Sequence, residues 1–491
     1  MRITWWTVAA IAVGLGGVVY RLQDFGRYGF WTDEAWVALT TRMSGWEQWW
    51  LALSVTPIGW AALLWPLARL GGPPEVVLRL VPLAASLATL VLAYRVGTRI
   101  AGHPVGGLAA LALISSDPLS IDYAKVLKQY SAEAAVALLG LDLALRVGSG
   151  GRGLGALAAV LVGGTLVSNS QAFVAVALLV AVAASAWRRG DHHGARAAVA
   201  VLVLVAIWSG LLYVLILRPH HSPALQAYYA RSFLPATDAA VLARSIATWV
   251  WSAWASVLGP IGAIAAVGAV AWRCARGGEI AVTVAMVLAT LVTLLLGLSA
   301  FRLVPLTEGR VLLFCTTLLG VTGIASLVAC AVAPARVERI VASLVLVLVV
   351  ADVAWARAWT TLGVSSYVED LGPLVVEMER ERTPADRVLV YGPSAYVVAY
   401  YQRDVPVLLP WAGTTVGYTP RLADGITAVG GEEMAAALRR ALGSGARVWF
   451  VGSRIKATDA PSIVSALGEG RLAKHDQRGN AELVLVAREL D

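Results

Sequence analysis

The stretch Tyr28-Gly-Phe-Trp-Thr-Asp-Glu-Ala-Trp36 places an acidic pair, Asp33 and Glu34, just after a long apolar run near residues 4–20. Carboxylates so close to a membrane span are costly unless they are used or well solvated. A carboxylate at a membrane face can take a proton from an attacking hydroxyl. Alone, the pair also fits a solvated loop that starts a helix, with Thr32 or Asp33 as N-cap.

Composition sets the surroundings of that pair. Of 491 residues, 58% are hydrophobic and only 14% charged, and the mean hydropathy is +0.71. A soluble chain of this length carries far more charge, so a polytopic membrane protein is expected. The net charge of +8 does not call for nucleic acid, because arginines on cytoplasmic loops give the same excess. Cys274, Cys315 and Cys330 lie in or beside apolar segments, with neither a disulfide framework nor metal-ligand spacing. The N-terminal run has no small-residue cleavage site before Arg21 and reads as an uncleaved first span.

Apolar segments fall near 4–20, 76–94, 104–121, 131–147, 154–170, 172–187, 197–217, 245–271, 280–300, 311–333 and 338–356. They predict about eleven transmembrane helices. Arg95 and Arg99, Arg146 and Arg152, Arg188, Arg189 and Arg196, Arg273 and Arg276, and Arg336 and Arg339 fall on alternate loops. Those loops become cytoplasmic if the N-terminus is inside, and an odd span count leaves the C-terminal segment outside. The first external loop, 21–75, holds Trp31, Trp36, Trp46, Trp49, Trp50, Trp60 and Trp65. Indoles favour the membrane interface, so surface helices are expected there, the piece 56–70 being a half-buried or surface helix.

The division expected is a membrane domain over 1–358 and an external α/β domain over 359–491. Charges return from about Thr360, and Arg387–Tyr391 and Arg447–Val451 read as buried strands, with a helix over Glu432–Leu442. Strands alternating with helices imply a small, partly parallel sheet. Gly392-Pro-Ser and Gly452-Ser-Arg read as strand-end turns, either ordinary connections or ligand contacts.

Three further polar clusters fall on external loops. Residues 120–133 carry Lys125, Lys128 and Gln129. Continued as helix, this stretch would put them on neighbouring turns and Tyr123 and Tyr130 on one stripe. An unpaired lysine at membrane depth costs about 2.5–3.5 kcal/mol, so two together suggest a bound anion, the alternative being lysines that snorkel to water. Residues 301–310 carry Arg302 and Arg310 against the positive-inside trend. Arginine grips two phosphate oxygens at once, although Glu308 offers Arg310 an ordinary partner. The loop 218–244, with His220, His221, Tyr228, Tyr229 and Arg231, shows no third metal ligand, and Asn169-Ser-Gln171 reads as a tight turn.

Taken in order, these stretches resemble the GT-C superfamily of polyprenyl-phosphate-dependent glycosyltransferases. The branch they resemble is family 39-like, with protein O-mannosyltransferases, aminoarabinose transferases and RgtA/B/C/D-like enzymes. Phe30-Trp-Thr-Asp-Glu-Ala35 resembles the first-loop acidic motif. Thr56-Pro-Ile-Gly-Trp60 and Arg69-Leu-Gly-Gly-Pro-Pro-Glu-Val-Val-Leu-Arg-Leu80 resemble the proline-containing surface helix and its run into the second span. Asp122-Tyr-Ala-Lys-Val-Leu-Lys-Gln-Tyr-Ser131 resembles the Tyr-Ala-x-x-x-Arg/Lys-x-Tyr-Ser segment. The likeness covers roughly residues 1–340. Val126 stands where relatives often have an acid, Lys128 where Arg is common, and a histidine before the proline is missing.

The resemblance implies inverting transfer of a sugar from a polyprenyl-phosphate donor to a hydroxyl on a cell-envelope glycan, lipid or protein, outside a bacterial cytoplasmic membrane. Asp33 would be general base, and Glu34 would orient the acceptor or assist Asp33. Lys125, Lys128, Arg302 and Arg310 would hold the donor phosphate, and Tyr123, Tyr130, Trp36 and Trp60 would line the substrate or lipid. No metal or cofactor is implied. A transporter or lipid flippase, and a non-catalytic relative that binds lipid-linked sugar, remain as alternatives.

Overall fold

The structure is a computed structural model and describes residues 5–43, 45–53, 56–219, 227, 229–235, 238–306, 310–333, 336–361, 369–402, 408–410 and 418–487. It divides into two compact units. The first comprises residues 1–23, 57–60 and 80–363; the second comprises 24–56, 61–79 and 364–491.

Eleven helices of the first unit match the eleven apolar segments. They are α1 (Trp5–Leu22), α2 (Leu80–Ala101), α3 (Pro104–Ser115), α4 (Tyr130–Gly148), α5 (Leu154–Val167), α6 (Gln171–Arg188), α7 (His192–Leu212), α8 (Ala239–Ala275), α9 (Glu279–Ala300), α10 (Leu313–Ala331) and α11 (Arg336–Thr361). Seven helical stretches among the described residues, those of α1, α2 and α6 to α10, are long and apolar enough to cross a membrane; α3, α5 and the apolar piece Ala342–Val353 of α11 are shorter, and α4 is not among the seven. Helix α10 is the centre: almost every side chain from Leu313 to Val328 is buried, against α2, α3, α4, α8 and α11. Small residues allow such close packing where lipid supplies no hydrophobic drive. A Cβ on Gly97 of α2, for example, would lie 2.5 Å from the Gly106 carbonyl of α3. Helix α8 bends at Gly259 (φ 71°, ψ 168°), followed by Pro260, which cannot donate to the preceding turn.

The two ends of this bundle treat charge differently. At one end Asp142, fully buried, binds Arg95 (2.9 Å), Arg99 (2.9 Å) and Arg146 (2.7 Å). Arg273 donates to Ile100 O at 2.9 Å, and Arg189 to Gly148 O. The arginine loops of α2, α4, α6 and α8 therefore gather at one end, as their alternation requires. At the other end Arg21 is fully buried. It donates to Ser86 Oγ at 2.7 Å and to the carbonyls of Gly17 and Ile114, both at 3.0 Å, which ties α1 to α2 and to the C-terminal turn of α3.

In the second unit, strands β1 (Arg387–Tyr391), β4 (Ile426–Val429), β5 (Val448–Ser453), β6 (Arg471–Arg478) and β7 (Ala481–Ala487) form one sheet in the order β4-β1-β5-β7-β6. β1 runs parallel to both β4 and β5, while β7 is antiparallel to β5 and β6. β2 (Leu408–Pro410) and β3 (Tyr418–Pro420) pair separately. Strand alternation gives the sheet two apolar faces. Leu389, Tyr391, Val448, Phe450, Val484 and Val486 pack under the helix Gly431–Gly443, with Met434 and Leu438. The opposite face is covered by Leu371–Glu381, which buries Leu371, Leu374, Val375 and Met378 against β5 and β7. This is the partly parallel sheet expected. The strand and helix positions agree with the sequence reading to within a residue or two.

Candidate active site

Asp33 and Glu34 lie in the first turn of the helix Thr32–Thr40, where the positive end of the helix dipole favours carboxylates. The two acids differ in their surroundings. Glu34 is buried, 1% exposed, and both its oxygens are bound by Arg79: Nε to Oε1 at 2.8 Å and Nη2 to Oε2 at 2.5 Å. Arg79 is itself buried and donates further to Tyr28 O at 2.7 Å and Gly29 O at 3.1 Å. Asp33 keeps partial exposure. Glu34, expected to orient the acceptor or to assist Asp33, is thus turned inward as half of a buried ion pair. Its second task is local: Oε2 accepts from Trp31 N–H at 3.4 Å.

The rest of the loop's holding comes from residues far along the chain. Gly29 N–H donates to Asp370 Oδ1 at 2.8 Å, and Phe30 N–H to the Tyr401 hydroxyl at 2.8 Å. That hydroxyl donates in turn to Glu75 Oε1 at 2.5 Å. Burial first, and the Glu75 carboxylate second, push the Tyr401 pKa up, so the phenol stays protonated. Side-chain packing reinforces these bonds: Trp36 stacks on Tyr396 at 4.8 Å, and Phe30 meets Tyr400 edge-on at 5.2 Å. Arg42 lies 3.9 Å over the Tyr400 ring. The approach is close enough that a Cβ on Gly29 would sit 3.2 Å from Asp370 Oδ1, Gly372 N and the Tyr401 hydroxyl alike.

The strand-end turns join the same neighbourhood. Ser394, just after β1, and Ser453, ending β5, are 3.1 Å apart through their hydroxyls. Ser453 Oγ donates to Glu369 Oε2 at 3.2 Å, and Thr32 Oγ1 reaches that oxygen at 3.4 Å. Arg454, in left-handed backbone (φ 49°), pairs with Glu369 and lies 4.7 Å over the Trp31 ring. Burial, ahead of the opposing attraction of Arg454, raises the Glu369 pKa.

The cation clusters belong to the first unit. The helix expected through residues 120–131 is broken: it runs from Pro118 to Tyr123, turns, and restarts as α4 at Tyr130. Asp117 caps the first piece, accepting from Ser120 N–H at 2.8 Å and Ser120 Oγ at 2.6 Å. Ser131 Oγ closes the turn on Tyr123 O at 2.8 Å. Tyr123 and Tyr130 meet edge-to-face at 5.0 Å because of the break, not through a helical stripe. Within the turn Lys128 is 6% exposed and Lys125 half-buried. Buried Glu133 follows; Ser170 Oγ donates to it at 3.4 Å, and Gln171 donates to its carbonyl at 2.8 Å. The polar turn at 169–171 therefore serves a buried acid. Arg302 is exposed with φ 58°, and Arg310 is half-buried. Trp60, expected to line lipid or substrate, is completely enclosed; its indole fills core space. His220, His221, Tyr228 and Glu308 lie outside the described residues.

No family model matches the chain, and no curated protein matches it in sequence. Solved structures do share its architecture. ArnT from Cupriavidus metallidurans, solved with undecaprenyl phosphate, superposes with a TM-score of 0.50 at 14% identity, over 99% of this chain and 98% of that one. The archaeal oligosaccharyltransferase AglB from Archaeoglobus fulgidus, solved with an inhibitory peptide and a dolichol-phosphate, gives 0.50 at 10% identity, over 99% and 74%. The chain has the GT-C fold. Within that fold, the sequence missed Arg21, Arg79, Glu75, Glu369, Asp370 and Tyr401. Arg79 left one signal, a lone charge at the head of an apolar run; Asp370 and Tyr401 left none near Asp33.

Proposed function

We propose that this protein is a membrane glycosyltransferase that moves a sugar from a polyprenyl-phosphate donor to a hydroxyl acceptor, with inversion, at the external face of a bacterial cytoplasmic membrane. The observation that carries this reading is the division of labour in the acidic pair. Glu34 is spent on Arg79, and Asp33, one residue earlier, keeps partial exposure on a helix whose entry is fixed.

Asp33 acts as general base. It takes the proton as the acceptor oxygen attacks the anomeric carbon, while the bond from that carbon to the phosphate oxygen breaks. The lipid phosphate leaves with the electron pair. Lys128, with Lys125 and Arg310, stabilises the charge that grows on it, and Arg302 and the tyrosines Tyr123 and Tyr130 bind more peripherally. Glu34 orients the Asp33 helix instead of touching the acceptor. The solved structures with a bound polyprenyl or dolichol phosphate, ArnT and AglB, support the donor class by fold analogy.

Purified protein in lipid nanodiscs, offered undecaprenyl-phosphate carrying a radiolabelled sugar and a cell-envelope extract as acceptor, tests the reading. Transfer of label to a non-lipid product is expected. Movement of intact donor between leaflets without transfer indicates a flippase, and donor binding alone indicates a non-catalytic relative.

A further inference from the structure

The second unit places residues 28–34 and the C-terminal sheet domain in one compact body, and the contacts concentrate on one short piece of backbone. Between Tyr28 and Trp31, five main-chain groups are held by side chains. Arg79 holds the carbonyls of Tyr28 and Gly29; Asp370 accepts from Gly29 N–H, Tyr401 from Phe30 N–H and Glu34 from Trp31 N–H. Trp31 O then accepts the first helical bond, from Ala35 N–H at 2.8 Å. Two of these five holds come from residues more than 340 positions away. A domain that merely packed on the loop would bury side chains of the helix; this one grips the main chain at the point that sets where Asp33 starts.

We propose that Tyr401 and Asp370 are positioning residues: they fix the backbone at Gly29 and Phe30, and through it the direction of the Asp33 carboxylate, so that the C-terminal domain is part of the machinery of transfer. This rests on the reading of Asp33 as base. The Tyr401 hydroxyl suits the task because it is bound on both sides, accepting from Phe30 N–H and donating to Glu75. Glu75 lies on the same first loop as Asp33, so Tyr401 bridges the start and the end of that loop. A small displacement of a general base costs rate far more than binding, because substrate contacts elsewhere are retained.

The test compares Tyr401→Phe, Asp370→Ala and Asp370→Asn in the full-length protein, with donor KM, acceptor KM and kcat measured separately. Tyr401→Phe keeps the ring packing and loses only the bridge; Asp370→Asn keeps an oxygen for Gly29 N–H, and Asp370→Ala does not. Expected is a fall in kcat of about tenfold or more for Tyr401→Phe and Asp370→Ala, with both KM values within about twofold, and recovery to within about threefold of the parent for Asp370→Asn. Unchanged kcat in both loss variants, or a change confined to KM, overturns the inference. So does an Asp370→Asn variant as slow as Asp370→Ala. If Tyr401→Phe fails to fold, the Asp370 pair decides alone. Asp33→Asn run alongside keeps the two readings apart: its retention of activity would sink the base assignment, whereas its inactivity beside fully active Tyr401→Phe and Asp370→Ala would sink only the positioning role.

Discussion

The two loops that carry the candidate chemistry are held in different ways. Residues 28–34, with Asp33, are fixed from a distance, by Arg79, Asp370 and Tyr401. Residues 117–131, with Lys125 and Lys128, carry local ties, Asp117 capping Ser120 and Ser131 closing on Tyr123, beside a longer one from Ser86 Oγ to Ser120 O at 3.4 Å. The acid loop takes its shape from distant residues of its unit, whereas the cation loop is shaped in part by bonds within its own turn. Damage should therefore spread from remote sites into the first loop and stay local in the second.

The largest effect is expected at the Glu34–Arg79 pair. Arg79→Met leaves Glu34 charged and buried without its partner, and also frees the carbonyls of Tyr28 and Gly29. Removing one half of a buried pair costs about 3–5 kcal/mol, so the second unit should melt well before the parent in a thermal scan read by tryptophan fluorescence. An unshifted transition would mean that the loop does not depend on this pair. Next come the cations. Lys128→Met and Arg310→Gln should each slow single-turnover transfer by about 100-fold, as the loss of one preorganised donor does, with a smaller loss of donor affinity. A double mutant no slower than the worse single mutant indicates one shared phosphate; strictly additive losses would argue for separate roles.

A smaller effect is expected from Ser131→Ala, which removes one local hydrogen bond worth about 0.5–1.5 kcal/mol. Hydrogen exchange should quicken only within the turn Ala124–Gln129, and spread beyond it would break the contrast between the loops. The smallest effect concerns pH. Burial holds the Glu369 pKa above its ordinary 4.5, so the folded state favours its protonated form. Its stabilising contribution is full below 4.5 and is lost as pH rises through the raised value. Glu369→Gln should flatten the decline of the unfolding temperature over that window; an identical slope in the variant would remove Glu369 as its source.

The legibility of this protein in its sequence follows the same contrast. The eleven helices were readable because apolar length and alternating arginines are local signals, and the arginines meet at one bundle end around Asp142 and the α4 and α2 carbonyls. Strands β1 and β5 were readable because both are buried apolar runs. Asp33 was legible as a charge after a span. Its supports were not: no spacing connects Phe30 to Tyr401, 371 residues away. The partner of Glu34 was hidden for a related reason, since no spacing announces Arg79, 45 residues on, beneath it. Trp60 shows the same limit, an interfacial residue by type that the fold encloses. The broken helix at 124–129 was hidden by residues that suit a helix well enough; in the structure Ser131 Oγ closes the turn on Tyr123 O.

The assignment of Asp33 is tested most directly by single-turnover transfer from a radiolabelled undecaprenyl-phosphate sugar, comparing the parent protein with Asp33→Asn and Glu34→Gln under conditions where donor binding is measured in the same preparations. Asparagine keeps the shape of the side chain and cannot take the proton. Expected is donor binding within about twofold of the parent for Asp33→Asn, with transfer reduced by about 10²–10⁴-fold, the usual contribution of a positioned base. Near-parental transfer by Asp33→Asn would contradict the assignment outright and move the search for the base to another group.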